Sequence, residues 1–237
     1  MLSALTLPLL LVATQATADG GPLAGSDPER LPKSVSCTSG SSWTGLPVVV
    51  ISAPSSPWAV VQLHVRVAGE GIPQELRAHS ESLAAALAEG RVQGVRSAAR
   101  ARVAEVGGET RVQVDEDAVV ISDGVPAAAL DVALSVLEER LSRRRRLLPA
   151  ERPLPELEGG ERVPLVVRQA LAPAHPYAQP LSLPAESRPD AAQLSALADL
   201  VLRREGVVVV VIGPEPEPKL RARVYRALKT PLPAGAK

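Results

Sequence analysis

Residues 103–141 read VAEVGGETRVQVDEDAVVISDGVPAAALDVALSVLEERL. Gly107-Gly108 stops a helix that the pattern places over Gly94 to Val106. Two β-type runs follow, Glu109 to Asp115 and Ala118 to Ser122, joined at Asp115-Glu116-Asp117, and they read as a hairpin. A long helix is expected from Pro126 to Arg146, its apolar face supplied by Ala128, Val132, Leu134, Val136, Leu137 and Leu141. A hairpin followed by an amphipathic helix needs a shared core, so this stretch implies a sheet with helices laid on it.

The segments on either side fit that picture. Leu46 to Ser52 (LPVVVIS) is a strand, and Ala53 to Pro57 is a turn. Ala59 to Ala68 (AVVQLHVRVA) puts Val61, Leu63, Val65 and Val67 on one face and Gln62, His64 and Arg66 on the other, a half-buried strand. Gln74 to Glu89 is a helix ended by Gly90. Residues 149–164 read as a loop or broken helix, Val163 to Leu171 as helix or strand, and His175-Pro176-Tyr177 with Pro180 and Pro184 as an extended loop. Pro189 to Arg204 is a helix with Asp190 in its first turn. Val207 to Ile212 is six apolar residues in a row, the mark of a strand buried on both faces. Lys219 to Leu228 is a last helix. The order β-β-α-α-β-β-α-(α)-α-β-α is an α+β arrangement, with one sheet covered by helices.

Composition narrows the function. The 237 residues carry 26 Lys+Arg against 26 Asp+Glu, so the formal net charge is zero, where a nucleic-acid binder normally has a basic surplus. One Cys excludes a disulfide framework and any cysteine-built metal site. With no Phe, two Trp and two Tyr, the core must be built from Val, Leu, Ile and Ala. The 22 Arg against four Lys, with no Asn, reads as codon bias.

Residues 1–18 (MLSALTLPLLLVATQATA) resemble a secretory signal peptide cut after Ala18, although no Lys or Arg precedes the apolar run. That run is far shorter than the roughly 20 residues needed to span a membrane. Export to the periplasm or cell exterior is the expectation. Residues 19–42 read as a flexible leader, 43–231 as the folded domain and 232–237 as a tail.

Taken in order, the segments resemble a domain of the pitrilysin/insulinase metallopeptidases, the family that includes mitochondrial processing peptidase and its noncatalytic partners. TGLPVVVI (Thr44 to Ile51) resembles the family's opening strand, and VVQLHVRVAGEG (Val60 to Gly71) its second. Val103 to Leu141 resembles the Gly-Gly strand, its hairpin partner and the long helix after it. AHPYAQPL (Ala174 to Leu181) is similar to the His-Pro-Tyr-Gly-x-Pro loop, and Leu194 to Pro214 to the closing helix and strand. The resemblance covers residues 44–231. It implies a single domain with a mostly antiparallel sheet covered by helices, and zinc-dependent peptide hydrolysis in active members.

Those active members carry His-x-x-Glu-His on the helix that here spans Glu75 to Gly90. Residues i and i+4 share a helical face, so two imidazoles reach one ion, and the Glu activates its water. In this chain the motif fails. Anchored on His79, the base position is Ser82 and the second ligand position is Leu83. Anchored on Gly90, the frame is Glu81-Ser82-Leu83-Ala84-Ala85, with no His at all. A distant acidic ligand could be Glu156 or Glu158, but one His and one carboxylate leave a zinc site two ligands short. His79 and Glu156 are thus vestigial candidates only, and no catalytic residue is assigned. His64 is expected on a wet strand face and His175 in a loop. Arg143 to Arg146 fits a helix C-terminus, with docking to an acidic partner as the sharper alternative.

The resulting expectation is a non-catalytic subunit without a cofactor, pairing with an active metallopeptidase homologue or with itself to hold an extended peptide. Two alternatives stand beside it: a zinc endopeptidase with unrecognised ligands, and a stand-alone module that grips peptides at a sheet edge. A fourth reading is a truncated member of a longer two-domain protein. Nucleic acid and a membrane span are not expected.

Overall fold

The structure is a computed structural model that describes residues 36–42, 44–67, 79–93, 98–115, 117–150 and 189–234. The described residues all fall into one unit. The proposed signal peptide, Glu156, Glu158 and the His175 loop lie outside the described residues.

Six strands form one sheet among the described residues, in the order β1-β2-β6-β3-β5-β4. The strands are β1 (Ser36–Ser41), β2 (Pro47–Ser52), β3 (Trp58–Arg66), β4 (Glu109–Val114), β5 (Ala118–Pro126) and β6 (Val207–Gly213). Every neighbouring pair is antiparallel except β2 with β6. The mostly antiparallel α+β fold expected from the sequence is the one observed. The β4–β5 hairpin falls where the deciding stretch puts it, with β5 running on past Ser122 to Pro126.

The helices are α1 (Ser80–Glu89), α2 (Ala99–Glu105), α3 (Leu130–Ser142), α4 (Ala191–Val201) and α5 (Glu217–Ala227). Three expectations about the helices need correction. The helix assigned to Gly94–Val106 begins at Ala99, because Ala98 is extended. The long helix is α-helical only from Leu130, after a 3-10 turn at Ala127–Ala129, so Ala128 is exposed and Ala133 takes a place on the buried face. Asp190 caps α4 and does not enter it. Its carboxylate accepts from the Gln193 N–H at 2.8 Å while the Gln193 side chain accepts from the Asp190 N–H at 2.9 Å.

The leader also ends earlier than expected. Ser36–Ser41 (SCTSGS) is polar and Gly-containing, which reads as linker, yet it pairs along its whole length with β2. The hairpin closes through Gly45 at φ 76, a left-handed conformation suited to glycine, whose N–H donates to Ser42 O at 2.9 Å. Thr38 adds a hydrogen bond to Glu217 of α5 at 2.8 Å. Backbone pairing and one side-chain tie thus override composition.

One face of the sheet carries Val48, Val50, Ala59, Val61, Leu63, Val65, Val119, Ile121, Val207, Val209 and Val211 into a core shared with all five helices named above. Each fully buried aliphatic side chain stabilises the fold by roughly 1.5–3 kcal/mol. Gly90 ends α1 at φ 60, and a Cβ there would lie 2.3 Å from Ala99 Cβ, so α2 seats directly on the end of α1. That contact fixes α1, the helix on which the resemblance places metal chemistry.

Candidate functional site

Helix α1 lies in the interior for most of its length: Ser80, Leu83, Ala84, Ala85, Ala86, Leu87 and Ala88 are buried. Its sequence, SESLAAALAE, has apolar residues on nearly every side, so it packs as a core helix and offers little polar surface. His79 precedes the helix in the N-cap place without a capping hydrogen bond, and its Nδ1 is buried without a partner among the described residues. Leu83, the second ligand position in the frame anchored on His79, is 0% exposed and belongs to the core cluster. In the other frame Ala84 and Ala85 are buried too. Both registers therefore direct the second ligand position, Leu83 or Ala85, into the buried side of the helix, while His79 and Glu81 are half-buried.

Among the described residues, no group of three or more His, Cys, Asp or Glu side chains could hold a metal ion. His64 is not brought to His79. Its side chain points to the other side of the sheet from α1, where it hydrogen-bonds Gln62 at 3.2 Å. The described residues around α1 do not fit zinc.

His64 departs from the wet surface position expected of it. It is half-buried, and burial lowers its imidazole below the ordinary value, an effect that the Asp115 carboxylate partly opposes. Below about pH 6.5 the unfolded chain then binds this proton more readily than the folded one. The contribution to stability is complete above that pH and is lost as the pH falls through the lowered folded value. Urea unfolding at about pH 7.5 and about pH 5.5 is expected to show a loss no steeper than about 1.4 kcal/mol per pH unit for this single proton. His64→Gln should flatten it; identical profiles would remove the assignment.

The most strongly built polar constellation lies at the other end of α1. Arg140 of α3 and Asp123 of β5 form an ion pair in which each residue is 1% exposed. Arg140 Nη2 also donates to Asp123 Oδ1 at 3.2 Å, and Thr110 Oγ1 of β4 donates to the same oxygen at 2.6 Å. Arg140 Nε donates to Leu87 O at 2.7 Å and Nη2 to Ala88 O at 3.1 Å. A helix leaves its last carbonyls without partners in the helix, and a cation there also meets the negative end of the helix dipole. One guanidinium thus ties α1 to α3, and through Asp123 and Thr110 to the two strands of the hairpin. The pair is satisfied and closed off, so its work is positional. The sequence reading missed both residues. Arg140 lies four residues after Val136 and three after Leu137, on the apolar face of its helix, and a charge there needs a buried partner.

The run Arg143 to Arg146 is divided in its duties. Arg143 pairs with Glu139 at 3.4 Å, and Arg144 pairs with Asp199 of α4 at 3.2 Å while donating to Leu141 O at 3.0 Å. The helix-end account fits these two residues.

Beside α1 the sheet ends in β4. Asp115 N–H donates to Ala118 O at 2.8 Å, which makes that cross-strand pair, and every second pair after it, the hydrogen-bonded one. The backbone groups of Thr110, Val112 and Val114 therefore point away from β5, and no described strand pairs with them. Such an edge can take an extended peptide as a further strand. Among the described residues, no helix is long and apolar enough to cross a membrane.

No protein-family profile and no curated protein matches the sequence. Solved structures do. The chain is similar to a peptidase M16 inactive domain from Pseudomonas fluorescens, with a TM-score of 0.60 and 19% identity over 85% of this chain and 53% of that one. It is also similar to a protease from Helicobacter pylori, with a TM-score of 0.59 and 15% identity over 86% of this chain and 52% of that one. The chain spans about half the length of each. What these likenesses establish is the fold: the chain has the architecture of one part of a peptidase of this class.

Proposed function

We propose that this chain is a non-catalytic, metallopeptidase-like subunit, exported to the periplasm or cell exterior, that pairs with an active homologue and forms one wall of a peptide-holding chamber. The observation that carries the proposal is Leu83. In the frame anchored on His79, the second ligand position is a side chain wholly inside the core. The likeness to a domain described as inactive supports the reading. The outward backbone groups of β4, which no described strand pairs with, support a part in holding extended peptide.

The test combines metal analysis with co-purification. Protein made without chelator or His tag is expected to hold about zero zinc per chain, since two ligands are missing. It should co-purify with a co-expressed homologue carrying an intact His-x-x-Glu-His motif. Stoichiometric zinc would return the chain to the peptidases. A zinc-free monomer that ignores the homologue would leave only the free-standing peptide binder.

A further inference from the structure

We propose that the outer edge of β1, with the basic face of α5 beside it, is a binding site for an extended acidic peptide segment, taken up as an added strand. The inference goes beyond the pairing reading and does not depend on it.

Strand β1 is one of the two edges of the described sheet. Ser42 N–H donates to Leu46 O at 2.9 Å, and Pro47, opposite Ser41, has no N–H to give. The hydrogen bonds to β2 therefore fall at Gly40, Thr38 and Ser36, and the backbone groups of Cys37, Ser39 and Ser41 point outward. No described strand pairs with them. Native edges are commonly blunted by a charge, a proline or a bulge. The sequence SCTSGS has neither charge nor proline, and its register with β2 runs without a break. This edge is open to backbone pairing with an extended chain.

Helix α5 selects the kind of chain. It packs beside β1: Thr38 Oγ1 donates to Glu217 at 2.8 Å, and a Cβ at Gly40 would lie 2.8 Å from the Tyr225 hydroxyl. Arg221 lies one turn from each of these two residues, on the same side of the helix. Residues 217–229 carry Lys219, Arg221, Arg223, Arg226 and Lys229 against Glu217 alone, in a chain of zero net charge. Arg223 is engaged by Asp131 at 2.8 Å and by Glu215. Arg221 has Glu217 at 3.5 Å, and the exposed Lys219, Arg226 and Lys229 form no ion pair with a described residue. Cations suit the last turn of a helix, but Lys219 and Arg221 lie in its first half, where the dipole does not favour them. An open groove along this face is lined by Pro218, Arg221, Ala222, Tyr225, Arg226 and Lys229.

The two features match in spacing. In an added strand, alternate side chains lie on the α5 side, about 6.8 Å apart. Arg221 to Lys229 spans about 12 Å along the helix, so two successive side chains of that kind face the cations. Carboxylates at those positions complement the charge. A membrane surface fits less well, because a helix that lies on a bilayer buries large apolar side chains. The one large apolar residue exposed among the described residues is Trp58, at the start of β3.

The experiment measures binding of a fluorescein-labelled peptide, Thr-Glu-Val-Glu-Val-Glu-Thr, to the full chain by anisotropy. The same peptide with Lys in place of Glu should bind at least about tenfold more weakly. The double variant Arg221→Glu with Arg226→Glu should also lose about tenfold, since two exposed attractions become repulsions. Arg111→Glu, on β4 at the opposite edge, should bind like wild type. Hydrogen exchange at the Cys37, Ser39 and Ser41 amides should slow when the peptide is bound. Circular dichroism reports whether the variants are folded, and the lysine peptide and the exchange test need no variant. The site is overturned by a wild-type chain that does not bind, by equal binding of the lysine peptide, or by a loss with Arg111→Glu in place of the α5 variant. Binding that leaves exchange along β1 unchanged, or capture of phosphatidylglycerol vesicles in place of the peptide, would overturn it as well.

Discussion

Arg140→Leu is expected to lower the stability of the fold by about 3–5 kcal/mol, because removing one partner of a buried ion pair strands the other. Asp123, 1% exposed, would keep only the Thr110 hydroxyl as a donor among its present partners. Leu87 O and Ala88 O would lose their donors at the same time, and each orphaned carbonyl adds its own desolvation cost. Native domains are stable by only about 5–15 kcal/mol, so much of the margin disappears. The double variant Arg140→Leu with Asp123→Leu should recover part of the loss, since a buried pair can often be exchanged for hydrocarbon. Recovery should stop short of wild type, because the two helix carbonyls and the Thr110 hydroxyl remain unsatisfied. Urea unfolding of the three variants decides. A single-variant loss below about 1 kcal/mol would show that water reaches the pair, and the clamp on α1 would have to be abandoned.

Writing the zinc motif back into α1 should damage the fold before it creates a metal site. The pair Ser82→Glu and Leu83→His restores His-x-x-Glu-His in the frame that begins at His79. Leu83 is fully buried, however, and an imidazole there gives up a leucine's burial and introduces polar nitrogens without partners. The expected destabilisation is about 3–6 kcal/mol, from roughly 2–3 for the lost burial and 1–3 for the unsatisfied polar groups. Zinc titration by calorimetry should give no stoichiometric binding. Tight binding by a variant that unfolds like wild type would show that this helix face opens to solvent, and the case for a filled ligand position would fall.

The sequence revealed much of the fold because its signals were local and chemical. The alternation in β3, the Gly107-Gly108 stop and the apolar run of β6 each name an element from adjacent residues. Strand β1 was not legible. Ser and Gly, four of its six residues, have little strand tendency, and that strand exists through its pairing with β2. The site divides in the same way. The loss of the motif was readable because spacing along a helix is a local property. The Arg140 clamp was not, since Asp123, Thr110 and the α1 carbonyls meet only after the hairpin, α3 and α1 have come together. His64 was placed on the correct face, but the degree of its burial depends on elements distant in the chain.

The position of β6 has a consequence for how the chain acquires its shape. This strand lies between β2 and β3, pairing Val48 with Val209 on one side and Leu63 with Val209 on the other. Without it, β1–β2 and β3–β5–β4 are two separate ribbons with no hydrogen bonds between them. Sheet closure therefore waits for a segment synthesised near the end of the described chain. Contacts between such distant residues slow folding, since a large loop must be closed before the pairing rewards it. The nascent chain stays open until that strand has been synthesised. A frameshift or stop ahead of Val207 would leave two unpaired inner edges, the kind of surface through which incomplete chains aggregate.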